Sequence, residues 1–169
     1  MKHLRFISFL SLALVLGSTL YLVTSCNPDP CKDVICNNGG IATASADNND
    51  CTCACPAGYE GEFCDDFVRD KYVGNYNGTE TCDSGTYSIA ITAAAGSGSD
   101  LELTIGNLYD AGFFTIANVT ANGDLEITNQ AFGTGTISGS GSINSSGVIS
   151  ITYTIVTGVG TDNCAFVSN

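Results

Sequence analysis

"VISITYTIV", Val148 to Val156, alternates without a break. Ile149, Ile151, Tyr153 and Ile155 fall on one side, and Ser150, Thr152 and Thr154 on the other. A helix would need apolar residues every three or four positions. A period of two is the mark of a strand with one face in a core and the other in water. The pattern recurs on both sides of this stretch. Tyr87, Ile89, Ile91 and Ala93 alternate with Ser88, Ala90 and Thr92. Leu101, Leu103 and Ile105 alternate with Glu102 and Thr104, and Leu125 and Ile127 with Asp124, Glu126 and Thr128. Between them lie turn-forming clusters: AAGSGSD at 94–100, ANGD at 121–124 and NSSG at 144–147. Residues 72–169 therefore predict about eight strands, at 72–81, 85–94, 101–108, 114–121, 124–130, 133–143, 148–156 and 162–167. Short connections make them an antiparallel meander. That meander closes as a small barrel or stacks as a two-sheet sandwich, and closure has the advantage of leaving no exposed edge.

The other end of the chain has a different character. Lys2, His3 and Arg5 precede an almost wholly apolar run, Phe6 to Val23, which ends in Thr24-Ser25-Cys26. A charged head, an apolar middle and a small-residue end make a secretory signal peptide over residues 1–25. Val23-Thr24-Ser25-Cys26 resembles a bacterial lipobox. The resemblance implies that Cys26 is acylated through its thiol and becomes the first residue of the mature chain. Cysteine parity agrees, because the chain has nine cysteines and an exported protein pairs them.

Loss of residues 1–25 removes Lys2 and Arg5. It leaves three basic residues (Lys32, Arg69, Lys71) against 17 acidic ones, a formal charge of −14. Nucleic acid is excluded as a partner, since phosphate binding needs clustered Lys and Arg. The only histidine, His3, goes with the signal. Serine and cysteine triads and histidine metal sites are thereby excluded.

After a short tether, residues 26–30, six cysteines fall within residues 31–64. So short a segment cannot bury a sufficient core, so crosslinks must hold it. Six cysteines allow many pairings, and spacing alone does not choose among them. The segment resembles an EGF-like module in Cys31-x4-Cys36, Asn38-Gly39-Gly40, Cys53-x-Cys55, Pro56, Gly58-Tyr59, Gly61 and Cys64. The resemblance implies Cys31–Cys51, Cys36–Cys53 and Cys55–Cys64. Cys51 departs from the family's spacing, standing well after the Gly-Gly pair and two residues before Cys53. Tyr59 is expected to cover a disulfide. Residues 65–71 form a linker. Cys82, at the end of the first predicted strand, and Cys164, in the last, complete the set as a fourth bridge.

Candidate sites are few. Asp47 to Asp50, "DNND", offers oxygens without EF-hand spacing, and no metal or other cofactor is expected. Glu80, Glu102, Asp110, Asp124 and Glu126 are the acids of the β-domain. Two acids suffice for a glycosidase, but none of these lies in an apolar run, so no catalytic residue is assigned. Gly74-x-Tyr76 is similar to the Gly-x-Trp start of lipocalin-like barrels, which implies an alternative role as a small-molecule carrier. The most aromatic stretch of the β-domain, GNLYDAGFFTI, suggests a contact patch of Tyr109, Phe113 and Phe114. The sequence thus implies a non-catalytic, membrane-anchored lipoprotein of the bacterial cell envelope, at the outer membrane. Its expected role is binding, adhesion or structure, with an unassigned protein or glycan partner.

Overall fold

A computed structural model describes residues 28–47 and 49–169. The signal segment 1–25 and the acylation position Cys26 lie outside the described residues. Four short strands come first: β1 (Ile41–Ala44), β2 (Cys51–Ala54), β3 (Tyr59–Glu60) and β4 (Asp66–Phe67). They form two hairpin pairs, β1 with β2 and β3 with β4. Three disulfides hold this region, Cys31–Cys51, Cys36–Cys53 and Cys55–Cys64. The crosslinks take the place of a core, as the small number of buried apolar residues here requires. Gly40 shows how tightly they pack. A Cβ on it would sit 2.7 Å from the Cys64 sulfur and 2.9 Å from the Cys36 Cβ.

A single 3-10 turn, Val68–Tyr72, leads into eight long strands. These are β5 (Gly74–Cys82), β6 (Gly85–Ala95), β7 (Glu102–Gly106), β8 (Phe114–Val119), β9 (Leu125–Phe132), β10 (Gly135–Ile143), β11 (Ile149–Thr157) and β12 (Gly160–Ser168). Each pairs antiparallel with its neighbour in sequence, and β12 returns to pair with β5. The sheet is a closed barrel, which settles the choice against a sandwich. Four expected strands, the first, third, fourth and sixth, are shorter than the alternation implied. The first starts at Gly74 because Tyr72 is taken by the 3-10 turn. The third stops at Gly106 because Asn107 turns left-handed, at φ 68°.

Alternation decides what lies inside. Ile149, Ile151, Tyr153 and Ile155 point inward and are buried, with Leu103, Ile105, Leu125, Ile127, Ile137 and Phe166 around them. The interior is a packed core. The residues of "VISITYTIV" therefore supply burial rather than the wall of a ligand chamber, in keeping with how small barrels fill. The outer face of β10, β11, β12, β5 and β6 carries Ser, Thr, Asn, Ala and Val at its outward positions, without a charge.

Closure is fastened at one seam. Cys82 and Cys164 stand directly opposite each other on β5 and β12 and are disulfide-bonded. On the same seam Gly78 lets β5 approach β12 closely. A Cβ there would lie 2.2 Å from the Val167 carbonyl and 2.8 Å from the Phe166 ring.

The disulfide-rich region docks on one end of the barrel. Arg69 donates to the carbonyls of Ser99 (2.5 Å), Gly96 (3.3 Å) and Glu102 (3.4 Å), all at the β6–β7 turn. The Tyr59 hydroxyl donates to Asp100 at 2.9 Å. Its ring packs on Phe67, with centroids 5.3 Å apart, and its hydroxyl joins the two parts. Tyr72 closes this end of the barrel, fully buried, with its hydroxyl donating to the Gly123 carbonyl at 2.6 Å.

Candidate functional site at the distal mouth

Strand direction places the remaining features. β5 leaves the docked end at Gly74 and reaches the opposite end at Cys82. In an antiparallel meander every second connection then lies at that far end: residues 83–84, 107–113, 133–134 and 158–159. This distal mouth faces away from the disulfide-rich region and from the N-terminal direction.

Acids lie at both ends of the barrel, Asp70, Asp100, Glu102 and Asp124 among those at the docked end, but the cations lie at one. Arg69 and Lys71 lie in the 3-10 turn beside the docked end. Glu80, Asp83, Asp110 and Asp162 gather at the distal mouth, and no Lys or Arg occurs in its strands or loops. The mouth therefore carries negative charge with no Lys or Arg of its own to offset it.

The loop between β7 and β8 covers the opening. Leu108 inserts into the core and is fully buried. Asn107, Tyr109 and Asp110 all adopt left-handed backbone, at φ 68°, 61° and 47°. Such conformations cost L-residues roughly 1 kcal/mol each, so something must hold them. Asn107 does part of this, donating to the Ala90 carbonyl (2.9 Å) and to Asp110 (3.3 Å) and accepting from the Gly112 N–H (3.0 Å). Glu80 does the rest.

Glu80 lies in no apolar run of sequence, yet the fold buries it among apolar residues. It points into the barrel and is 1% exposed. Its Oε1 accepts from the Tyr109 N–H at 3.1 Å and from the Tyr153 hydroxyl in a short hydrogen bond. Burial first, then the Glu80 carboxylate beside it, push the Tyr153 phenol well above the usual tyrosine value. A raised folded pKa means that stability is fully present below the ordinary tyrosine pKa of about 10 and is lost as pH rises through the folded value. Spectrophotometric titration at alkaline pH is therefore expected to show Tyr153 ionising only as the barrel unfolds. Over that range stability falls by up to about 1.4 kcal/mol per pH unit.

Tyr109 stands at the centre of the mouth. Its hydroxyl donates to Asp162 at 2.8 Å, and Asp162 also accepts from the Ser84 N–H at 3.2 Å. Hydrogen bonding from the Ser84 side chain first, then from the Tyr109 hydroxyl and the Ser84 N–H, holds the Asp162 carboxyl below its ordinary value. Asp83 accepts from Asn163 at 2.8 Å. A cavity of about 270 Å³ lies on one side of Tyr109, lined by Glu80, Tyr87, Tyr109 and Asp110. A depression of about 390 Å³ lies on the other, between Ile155, Val159, Asp83 and Asp162. Asp162 uses both its oxygens within the fold, and Asp83 uses one, accepting twice from Asn163 at Oδ2. Glu80 and Asp110 each keep one carboxylate oxygen without a hydrogen-bond partner among the described residues, and these two line the same cavity.

The expected patch of Tyr109, Phe113 and Phe114 divides. Tyr109 is half-buried and held by Asp162. Phe113 sits at the mouth, edge-on against Phe132 at 5.3 Å. Phe114 is 72% exposed on the outer face of β8. Of the other acids, Glu102 accepts from the Gly98 N–H at the docked end (2.9 Å), and Glu126 points outward from β9. Asp124 also lies at the docked end. In the "DNND" loop Asp47 accepts from the Ser45 hydroxyl and from the Asn49 amide, so its oxygens serve the turn. Among the described residues the cluster of potential metal ligands is Cys82, Asp162 and Cys164, whose sulfurs are bonded to each other. Comparison with protein-family models, with curated proteins and with solved structures finds no match to this chain.

Proposed function

We propose that the chain is a lipid-anchored envelope lipoprotein that presents its barrel as a non-catalytic binding module, with the distal mouth as the working end. The observation that carries this reading is the built cavity beside Tyr109. A buried carboxylate, a second acid and two tyrosines converge at the end of the barrel that faces away from the tether. The lipobox at Cys26 supplies the anchor. An EGF-like spacer supplies the stalk, and Arg69 and Tyr59 fix the barrel upon it. A lipocalin-like carrier would need an interior chamber, and here Phe166, Leu103, Ile137 and their neighbours occupy that volume.

The reading is tested in two parts. Acyl labelling of the full chain is expected to mark Cys26, and Cys26→Ala is expected to lose both the label and membrane retention. Protease shaving of intact cells then reports the face: loss of the barrel puts it outside the outer membrane, and protection puts it in the periplasm. A C26A chain that stays fully in the membrane contradicts the anchor. The pairing of Glu80 and Asp110 in one cavity also favours a second reading, a carboxylate glycosidase. Hydrolysis of an aryl glycoside, abolished by both Glu80→Gln and Asp110→Asn, would establish it in place of binding.

A further inference from the structure

The geometry points to a small organic ammonium group as what the cavity beside Tyr109 binds, a deepening that rests on the distal mouth being the working end. Three properties of the cavity carry it. Glu80 is 1% exposed, so one of its oxygens, Oε1, is desolvated and held by two donors. Its Oε2 has no partner among the described residues and is open to the cavity that the residue lines. A carboxylate oxygen only accepts hydrogen bonds, and a charged donor binds it more strongly than a neutral one. A donor that brings positive charge satisfies it best.

Asp110 is the second acid at the cavity. Its Oδ1 accepts from Asn107, and its other oxygen is without a partner among the described residues. Tyr87 and Tyr109 complete the lining. Aromatic faces beside carboxylates are the surroundings that hold an alkylammonium, through ring quadrupole and charge together. A metal ion fits less well, since two carboxylate oxygens fall short of the six to eight oxygens a calcium ion takes, and the remaining walls are tyrosines. The volume of about 270 Å³ is below the usual range for drug-sized ligands and limits the guest to a head-group of a few carbons. Such a group occurs on free amines and on lipid head-groups alike, and the probes must separate the two sources.

The test uses the full chain in a non-ionic maltoside detergent at pH 7, with tyrosine rings labelled with carbon-13. Ethylammonium, choline and the neutral choline isostere 3,3-dimethylbutanol are titrated separately. Ethylammonium, choline or both are expected to shift the Tyr87 and Tyr109 ring signals saturably, with half-saturation on the order of 1 mM. The neutral isostere is expected to leave them in place. Glu80→Gln keeps an acceptor for Tyr153 and for the Tyr109 N–H, and is expected to weaken binding at least tenfold. Asp110→Asn, in an exposed loop, is expected to weaken it severalfold without lowering the melting temperature. Nanodiscs with and without phosphatidylcholine then show whether a lipid head-group competes with the free amine. Equal binding of the neutral isostere, or unchanged affinity in both variants, overturns the ammonium inference and leaves the mouth as the binding site. Silence of both tyrosines toward charged and neutral probes overturns both.

Discussion

Replacing Cys82 and Cys164 together by serine is expected to lower the melting temperature of the barrel by roughly 20 °C. The two cysteines are 82 residues apart in sequence and directly opposite in register. On the chain-entropy account a bridge over so long a loop removes about 4–5 kcal/mol of unfolded-state freedom. A barrel of this size loses several degrees for each kcal/mol. The location matters as much as the length. β5 and β12 are the two strands that no turn connects, so the disulfide is the covalent link across the closing seam. Differential scanning calorimetry of the double serine variant reads the effect directly. Thermal unfolding within a few degrees of the parent would show that β5–β12 pairing closes the barrel unaided.

Phe166→Ala is the second large effect, expected at about 4 kcal/mol. Phe166 is fully buried on β12, and its ring lies over Gly78 of β5. Removing a buried aromatic loses its transfer energy and leaves a cavity, for a total of about 3–5 kcal/mol. The ring and the glycine are two halves of one arrangement. Without a Cβ at position 78 the ring fills the gap that would otherwise expose backbone. Gly78→Ala therefore also destabilises, and the two substitutions are expected to be less than additive, because the alanine clash with the ring vanishes in F166A. Its clash with the Val167 carbonyl, at 2.2 Å, persists. Urea unfolding of the two single variants and the double variant measures the coupling.

How much of this was legible in the sequence depends on what each residue's information is local to. The alternation in 148–156 depends only on neighbours two apart, so β11 and its inward face could be read directly. The same holds for β6, β7 and β9. Cysteine parity and position anticipated the β5–β12 bridge. Glu80 was missed for a physical reason. Its strand, "GNYNGTETC", has almost no aliphatic residues, so no apolar run marked its inward side. The signal was present in parity: Tyr76, Gly78, Glu80 and Cys82 share a face, and Cys82 had already been placed in a bridge to the far strand. The partners that make Glu80 a site could not be read at all. Tyr109 and Tyr153 lie 29 and 73 residues away, and their approach depends on barrel closure. The left-handed backbone at Tyr109 has no local sequence mark either, because tyrosine seldom adopts it. Tertiary hydrogen bonds hold it there.

The placement of the working end at the distal mouth is tested most directly by amide chemical-shift mapping. The full chain would be titrated with a panel of small charged and neutral polar fragments. The account predicts shifts confined to residues 80–87, 107–113 and 158–162, the strand ends and loops around Tyr109. Shifts centred on the uncharged outer face of β10, β11 and β12, or on the disulfide-rich region, would contradict it and move the binding surface away from Glu80.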